Sequence, residues 1–316
     1  MTSVLVLAGG LSPERDVSLR SGRRLAQALK DSGLDVDVRD VDSSLVESLA
    51  ADPPDVVVPL VHGAAGEDGA LRDVLEVLGL PYVGSRPGPS RLAFDKPMAR
   101  EVLTRAGAAV PAGVALPHSV FRDLGAGALL NAVVEHLGLP VVVKPARGGS
   151  ALGVTIVETR EDLPSAMVGA FAYDETVLIE AFVSGTELAV SVIDLGDGPI
   201  ALPAVEIEPV RGRYDYAARY TAGDVEFFAP ARLAQDVADR VAELAIAAHV
   251  HLGLEDWSRT DIIVDEHGVP WFLEATVAPG MTETSLLPQA AAAAGYDVGD
   301  LMGQLVKRAE ARGSRL

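Results

Sequence analysis

The chain has 316 residues, 49% of them hydrophobic and 22% charged, too apolar for a disordered chain and long enough for two or three domains. A formal net charge of -19 argues against a nucleic-acid or acidic-membrane partner, because phosphate surfaces reward lysine and arginine. With no cysteine at all, disulfides, thiolate metal sites and thiol nucleophiles are excluded together.

The opening MTSVLVLAGG has no basic leader region, and no stretch approaches 18 uninterrupted apolar residues, so a cytoplasmic enzyme is the expectation. SVLVLA (3–8) reads as a buried strand, turned by Gly9 and Gly10 into a helix that Ser12 and Pro13 start and Gly33 stops. LDVDVRDV (34–41) alternates as a second strand, and DVVVPLV (55–61) reads as a third. Strands alternating with helices imply an α/β unit, a doubly wound parallel sheet covered on both faces. It should end near YVGSRPGPS (82–90), giving a first domain of residues 1–90.

From Ser90 the pattern changes. A helix holding Lys96 precedes VPAGVAL, then an amphipathic helix to about His136 and the strand PVVVKPA (140–146). RGGSALG (147–153) is a glycine-rich turn into the strand VTIVET, and VLIEAFV (177–183) and LAVSVIDL (188–195) read as a strand pair across SGTE. An α+β domain on an antiparallel sheet, residues 91–182, follows from this, with 183–316 as the third. That last part holds a loop rich in Tyr and Arg (211–224), a helix over about 231–252, a hairpin at 261–274 and a terminal helix.

The hairpin carries the chemistry. A four-residue turn at 265–268 would pair Val264 with Val269, Arg259 with Glu274 and Asp261 with Phe272. The two-residue period then puts Arg259, Asp261, Glu274 and Thr276 on one face. Two carboxylates there suit Mg²⁺ shared with nucleotide phosphates, and a surface salt-bridge ladder is the competing reading. Only four lysines occur, and Lys96 (in FDKP) and Lys144 (in VVVKPARGGS) stand where phosphate could be neutralised beside a glycine-rich turn. Neither common nucleotide fingerprint, the phosphate loop or G-x-G-x-x-G, is present. Glu14 follows strand 1 at the sheet edge where ligands bind, although a helix-start glutamate needs no function. HGAAGEDG (62–69), at the same edge, reads as a surface turn or as part of a site. Ser150, Tyr216 and Tyr220 are unremarkable singly.

Jointly, these segments resemble the D-alanine–D-alanine ligases of the ATP-grasp superfamily. The resemblance runs through GGLSPERDVSL (9–19), HGAAGEDG, GLPYVGS (79–85), FDKPMAR (94–100), VVKPARGGSALGV (142–154), EAFVSGTE (180–187), YDYAARY (214–220) and RTD…FLEATVAPGMTETSLLP (259–288). It implies a three-domain ATP-grasp fold with ATP gripped between the second and third domains. Lys96 and Lys144 would contact phosphates, Glu180 and Glu187 would hold adenine and ribose, and Asp261, Glu274 and Thr276 would ligate Mg²⁺ or Mn²⁺, with a monovalent cation as a further candidate. Glu14 would receive the first substrate's ammonium with His62 nearby. Ser150 and Tyr220 would link a mobile loop to that site. Arg259 and the Gly280 N–H would stabilise the oxyanion, and Ser285 and Leu286 would orient the second carboxylate.

The implied reaction joins two D-alanine molecules, for peptidoglycan precursors, through an acyl phosphate that must be kept from water, which gives segment 211–224 a lid's role. A homodimer with small-molecule substrates, D-alanine and ATP, and no nucleic-acid or membrane partner, completes the expectation. Three departures stand out. The family has E-x-N where this chain has Glu274–Ala275–Thr276, its lid lysine is here Arg219, and its second serine after the glycine turn is here Ala151. A hydroxyl at 276 is a weaker metal ligand than an amide, and Arg219 keeps charge but changes geometry at the phosphate. Two alternatives are a ligase of another D-amino acid, in specialised metabolism or self-resistance, and a nucleotide and D-alanine binder without turnover.

Overall fold

A computed structural model describes residues 2–210 and 223–314. The chain opens with β1 (Ser3–Ala8), α1 (Arg15–Asp31), β2 (Asp35–Asp40), α2 (Leu45–Ala51), β3 (Val56–Pro59), α3 (Ala64–Glu67) and α4 (Ala70–Val77). The three strands form a parallel sheet in the order β2-β1-β3. Strand alternation buries both faces. Val4 and Val6 pack with Leu25 and Leu29 of α1. Leu5 and Leu7 meet Leu49 of α2 and Leu75 of α4 on the other side. The first helix begins at Arg15 rather than at Pro13, because the Ser12 hydroxyl donates to the His62 carbonyl at 2.9 Å and ties two loops together instead of capping.

Next come α5 (Pro87–Phe94) and α6 (Lys96–Arg105), the latter capped by Asp95, whose carboxylate accepts from the Met98 N–H at 3.1 Å. The buried stripe of α6 is Lys96, Ala99, Arg100 and Leu103, so two cations occupy positions that normally face a core.

The central sheet contains β4 (Gly113–Pro117), β5 (Val141–Pro145), β6 (Thr155–Val157) and β7 (Thr176–Ala181), antiparallel in the order β4-β7-β5-β6. Helices α7 (His118–Leu124), α8 (Ala126–Leu137) and α9 (Leu163–Phe171) complete this part, and Leu130, Val134, Leu163 and Met167 cover Val141, Val143 and Ile179. The single helix expected before residue 136 is two, broken at Gly125, whose φ of 85° is left-handed backbone that favours glycine.

The C-terminal sheet takes β8 (Thr186–Asp194), β9 (Pro199–Ala201), β10 (Val205–Pro209), β11 (Val225–Phe228), β12 (Trp257–Val264) and β13 (Pro270–Thr276). Its order is β11-β10-β8-β12-β13, with β9 on β8, and α10 (Gln235–His251) covers one face. The expected strand pair 177–183 and 188–195 does not form: β7 belongs to the central sheet and β8 to this one. The chain crosses at Gly185, where an added Cβ would lie 2.1 Å from the Val264 carbonyl oxygen, so only glycine lets the backbones meet.

After α11 (Leu286–Ala293), helix α12 (Val298–Arg312) returns to the N-terminal sheet, where Met302, Leu305 and Val306 share a core with Val4 and Val6. Asp256, fully buried at φ 63°, joins three segments there. It accepts from the Gly84 N–H at 2.7 Å and from both Arg312 terminal nitrogens at 2.8 Å, with the Arg308 Nε–H at 3.2 Å. No helix among the described residues is long and apolar enough to cross a membrane.

Candidate active site

The hairpin face contains the four expected side chains, but in another register. Val264 pairs with Pro270, and a bulge between Asp261 and Ile262 shifts the ladder, so that Asp261 stands directly opposite Glu274 and Arg259 opposite Thr276. The expected pairs Arg259–Glu274 and Asp261–Phe272 are therefore corrected by a longer turn and one extra residue on β13. The bulge brings the two carboxylates face to face, which costs free energy unless cations answer them. Cations do. Arg259 grips Asp261 with two bonds, Nε to Oδ1 at 2.7 Å and Nη2 to Oδ2 at 3.0 Å. Lys96 Nζ lies 3.3 Å from Glu274 Oε2. The surface-ladder reading fails, since Asp261 is 6% exposed.

Lys96 sits at the first turn of α6 and also donates to the Gly148 carbonyl at 2.5 Å, fastening the glycine-rich turn to the hairpin. Lys144, at the end of β5, pairs with Glu180 Oε1, while Arg100 takes Glu180 Oε2 and the Pro111 carbonyl. Glu180 is 2% exposed, and its carboxylate answers both cations where it borders the cleft between the central and C-terminal sheets. A cleft between the central and C-terminal sheets is lined by Lys96, Lys144, Glu187, Asp261, Leu273 and Glu274.

A second cleft opens toward the N-terminal sheet and is lined by His62, Lys96, Ser150, Arg259, Glu274, Gly280 and Ser285 among others. Lys96, Glu274 and Gly148–Gly149 border both clefts and so form the wall between them. Ser150 and Ala151 hold left-handed backbone at φ 55° and 57°, a strain of order 1 kcal/mol each that the surrounding turn must offset. Glu14, buried at the start of α1, borders an adjoining groove with Gly63 and Gly149. His62 is pushed down to about 4, chiefly by burial and against the pull of the Glu14 charge, so the imidazole is neutral near pH 7. Its Nε2 lies 3.3 Å from the Ser21 hydroxyl, and the Met281 N–H donates to that same hydroxyl at 3.1 Å. Ser285 precedes α11. Its hydroxyl accepts from the Thr282 N–H at 2.9 Å and lies 2.8 Å from the Thr282 hydroxyl. At Gly280 an added Cβ would meet Ser285 Oγ at 2.7 Å, so a side chain here would push that hydroxyl from its place. Leu286, 6% exposed, anchors the start of α11.

The sequence pattern alone did not single out Glu67 and Thr282, which line the second cleft, or Arg100, which stands behind the first. Glu67 lies at the end of α3, and its Oε2 accepts from the Thr276 hydroxyl at 2.5 Å while its Oε1 accepts from the Gly63 N–H at 2.8 Å. Burial holds this carboxyl above its usual value, against both hydrogen bonds. The surface-turn reading of 62–69 is thus overturned. The signal was Gly66, where a Cβ would lie 1.9 Å from the Val61 carbonyl, and the consequence is a turn folded inward. Arg100 could have been found by its spacing, four residues after Lys96 on the same helix face. Thr282 carried no signal beyond a run of hydroxyl residues. Arg219 and Tyr220, like Tyr216, lie outside the described residues.

Two family models match the chain: one described as D-ala D-ala ligase N-terminus over residues 43–85, and one described as D-ala D-ala ligase C-terminus over residues 103–307. The D-alanine–D-alanine ligase of Bordetella petrii is 41% identical over 304 residues, covering 96% of this chain and 91% of that protein. The crystal structure of VanG D-Ala:D-Ser ligase from Enterococcus faecalis aligns with a TM-score of 0.83 at 26% identity, over 98% of this chain and 99% of its own. The ATP complex of D-alanine–D-alanine ligase from Bacillus anthracis aligns with a TM-score of 0.79 at 27% identity, over 99% and 98%.

Proposed function

The chain belongs to the D-alanine–D-alanine ligase family and has its ATP-grasp fold, and from that premise we propose how its own residues join two D-alanine molecules at the expense of ATP, supplying peptidoglycan precursors. One observation carries the assignment of parts: Lys96 and Glu274 stand between two clefts, one suited to a nucleotide and one to small amino acids.

Lys96 and Lys144 would neutralise nucleotide phosphates at that wall, and Glu187, half-buried at the start of β8, would face the ribose. The donor set fits a hard cation, since Asp261 and Glu274 are oxygen ligands directly opposed across the ladder. Among the described residues no three His, Asp or Glu side chains cluster to hold a metal alone, in keeping with a site completed by phosphate oxygens. Asp261 and Glu274 would hold Mg²⁺ or Mn²⁺, which when bound would supply neutralisation of the charge that develops in phosphoryl transfer.

Glu14 would take the first ammonium, with neutral His62 beside it, so that the first carboxylate points at the wall. A carboxylate oxygen attacks the γ-phosphorus of ATP, the bond to the β-phosphate oxygen breaks with release of ADP, and the carboxylate becomes an acyl phosphate. The second amine then attacks the carbonyl carbon. Arg259, held in plane by its two bonds to Asp261, and the Gly280 N–H would stabilise the tetrahedral oxyanion until phosphate leaves. Ser285 and Leu286, at the start of α11, would orient the second carboxylate. By the family resemblance Ser150 and Tyr220 would link the lid segment 211–224 to this site, and Arg219 would serve the phosphates. The reading extends to three domains at 1–90, 91–182 and 183–316, a homodimer and a cytoplasmic location.

The test is mass spectrometry of products after incubation with ATP, Mg²⁺ and mixed D-amino acids. D-alanyl-D-alanine with stoichiometric ADP is expected; nucleotide binding without any dipeptide would refute it. A second reading changes only the second substrate. The likeness to a D-Ala:D-Ser ligase supports it, and a mixed D-alanine–D-serine product would identify it in the same experiment.

A further inference from the structure

Resting on the ligase reading, we propose that Thr276 is a positioning residue for the first substrate and not a ligand of the metal. Its hydroxyl is already engaged: Oγ1 donates to Glu67 Oε2 at 2.5 Å and accepts from the Ala278 N–H at 3.3 Å. One lone pair of the oxygen remains, but it is neutral and already polarised toward Glu67, a poorer anchor for a hard cation than the carboxylates of Asp261 and Glu274, and a cation there would lie beside Arg259, the residue directly opposite in the ladder. The two carboxylates at 261 and 274 need no such help, since they face each other.

Glu67 gives the hydroxyl its purpose. While Oε2 accepts from Thr276, Oε1 accepts from the Gly63 N–H at 2.8 Å and so pins the turn that carries His62. Gly63, at φ 76°, is pressed so close to Glu14 that an added Cβ would lie 2.8 Å from Glu14 Oε2. The neighbouring His62 carbonyl is held by the Ser12 hydroxyl at 2.9 Å. Thr276 is therefore the point at which the hairpin of the C-terminal sheet grips the turn that shapes the pocket around Glu14 and His62. Valine at this position keeps the branched shape and removes only the hydroxyl.

Two variants and two readouts test this: Thr276→Val and Thr276→Ser, each measured by two-site steady-state kinetics with D-alanine and by Mn²⁺ titration of the complex with a non-hydrolysable ATP analogue, followed by electron paramagnetic resonance. Thr276→Val should raise the KM of the first D-alanine site about tenfold, as loss of a hydrogen bond to a charged group predicts, with kcat changing less. Its Mn²⁺ affinity should equal the parent's, and Thr276→Ser should restore the KM. A fall in Mn²⁺ affinity, or a first-site KM that does not move, overturns the assignment. A parent protein that binds nucleotide but makes no dipeptide overturns the ligase reading instead.

Discussion

Arg100→Met isolates the buried cation that the nucleotide cleft needs without lining it. Arg100 and Glu180 are 8% and 2% exposed, and Glu180 bridges Arg100 to Lys144. Methionine fills the space of the arginine stem, so the change is mainly electrostatic. Removing one partner of a buried ion pair costs about 3–5 kcal/mol, and because Lys144 still answers Glu180 the lower figure, about 3 kcal/mol, applies. Urea unfolding should show that loss. Function should change as well. With Arg100 present, Glu180 has two counter-charges and Lys144 can lend part of its field to phosphate. Without it, Lys144 serves Glu180 alone and the cleft loses one positive charge. At roughly 8 Å and an effective dielectric of about 20, one unit charge is worth ~2 kcal/mol, or about thirtyfold in ATP KM, and about tenfold after solvent screening. The KM values for D-alanine should stay as they are, and Arg100→Lys, which keeps the charge, should recover most of the ATP affinity. An unchanged ATP KM in a destabilised Arg100→Met protein would refute the electrostatic link and leave Arg100 a strut. Unchanged stability as well would refute the buried pair itself.

Gly66→Ala should displace α3, because the new Cβ would lie 1.9 Å from the Val61 carbonyl. Overpacking of this kind costs about 1–3 kcal/mol, and the displaced Glu67 should raise the first D-alanine KM without altering that for ATP. His249, 2% exposed and lowered to about 4 by burial, stays neutral in the fold while its unfolded form gains a proton below about 6.5. Its contribution is therefore complete above that value and is lost as pH falls from 6.5 toward 4, up to about 3 kcal/mol. His249→Asn should unfold in urea with that part of the pH slope missing, and an identical slope would count against it. Glu274→Gln should weaken Mn²⁺ binding to the nucleotide-analogue complex and abolish turnover; full Mn²⁺ affinity would remove Glu274 from the metal site. Leu75→Ala, fully buried against the N-terminal sheet, should cost about 2–5 kcal/mol in urea unfolding while every KM stays unchanged.

The N-terminal sheet was legible because its strands are short, apolar and punctuated by glycine, and because its contacts fall within one repeating strand–helix pattern. Lys96, Lys144 and the hairpin face were legible for a related reason: rarity of lysine and a two-residue period are properties of the chain itself. The hairpin register was not. A four-residue turn fits the sequence as well as the observed longer one, and the bulge, one extra residue on β13 opposite Asp261–Ile262, leaves no mark on the two-residue alternation.

Local pattern therefore determined which side chains share the hairpin face and which strands build the first sheet. The tertiary structure decided which charges meet. Glu67 reaches Thr276 across 209 positions of sequence, Arg100 reaches Glu180 across 80, and Arg312 reaches Asp256 across 56. No periodicity spans such separations, because each pair forms only when whole elements dock, and docking is driven by apolar area that does not record which polar partners it will bring together.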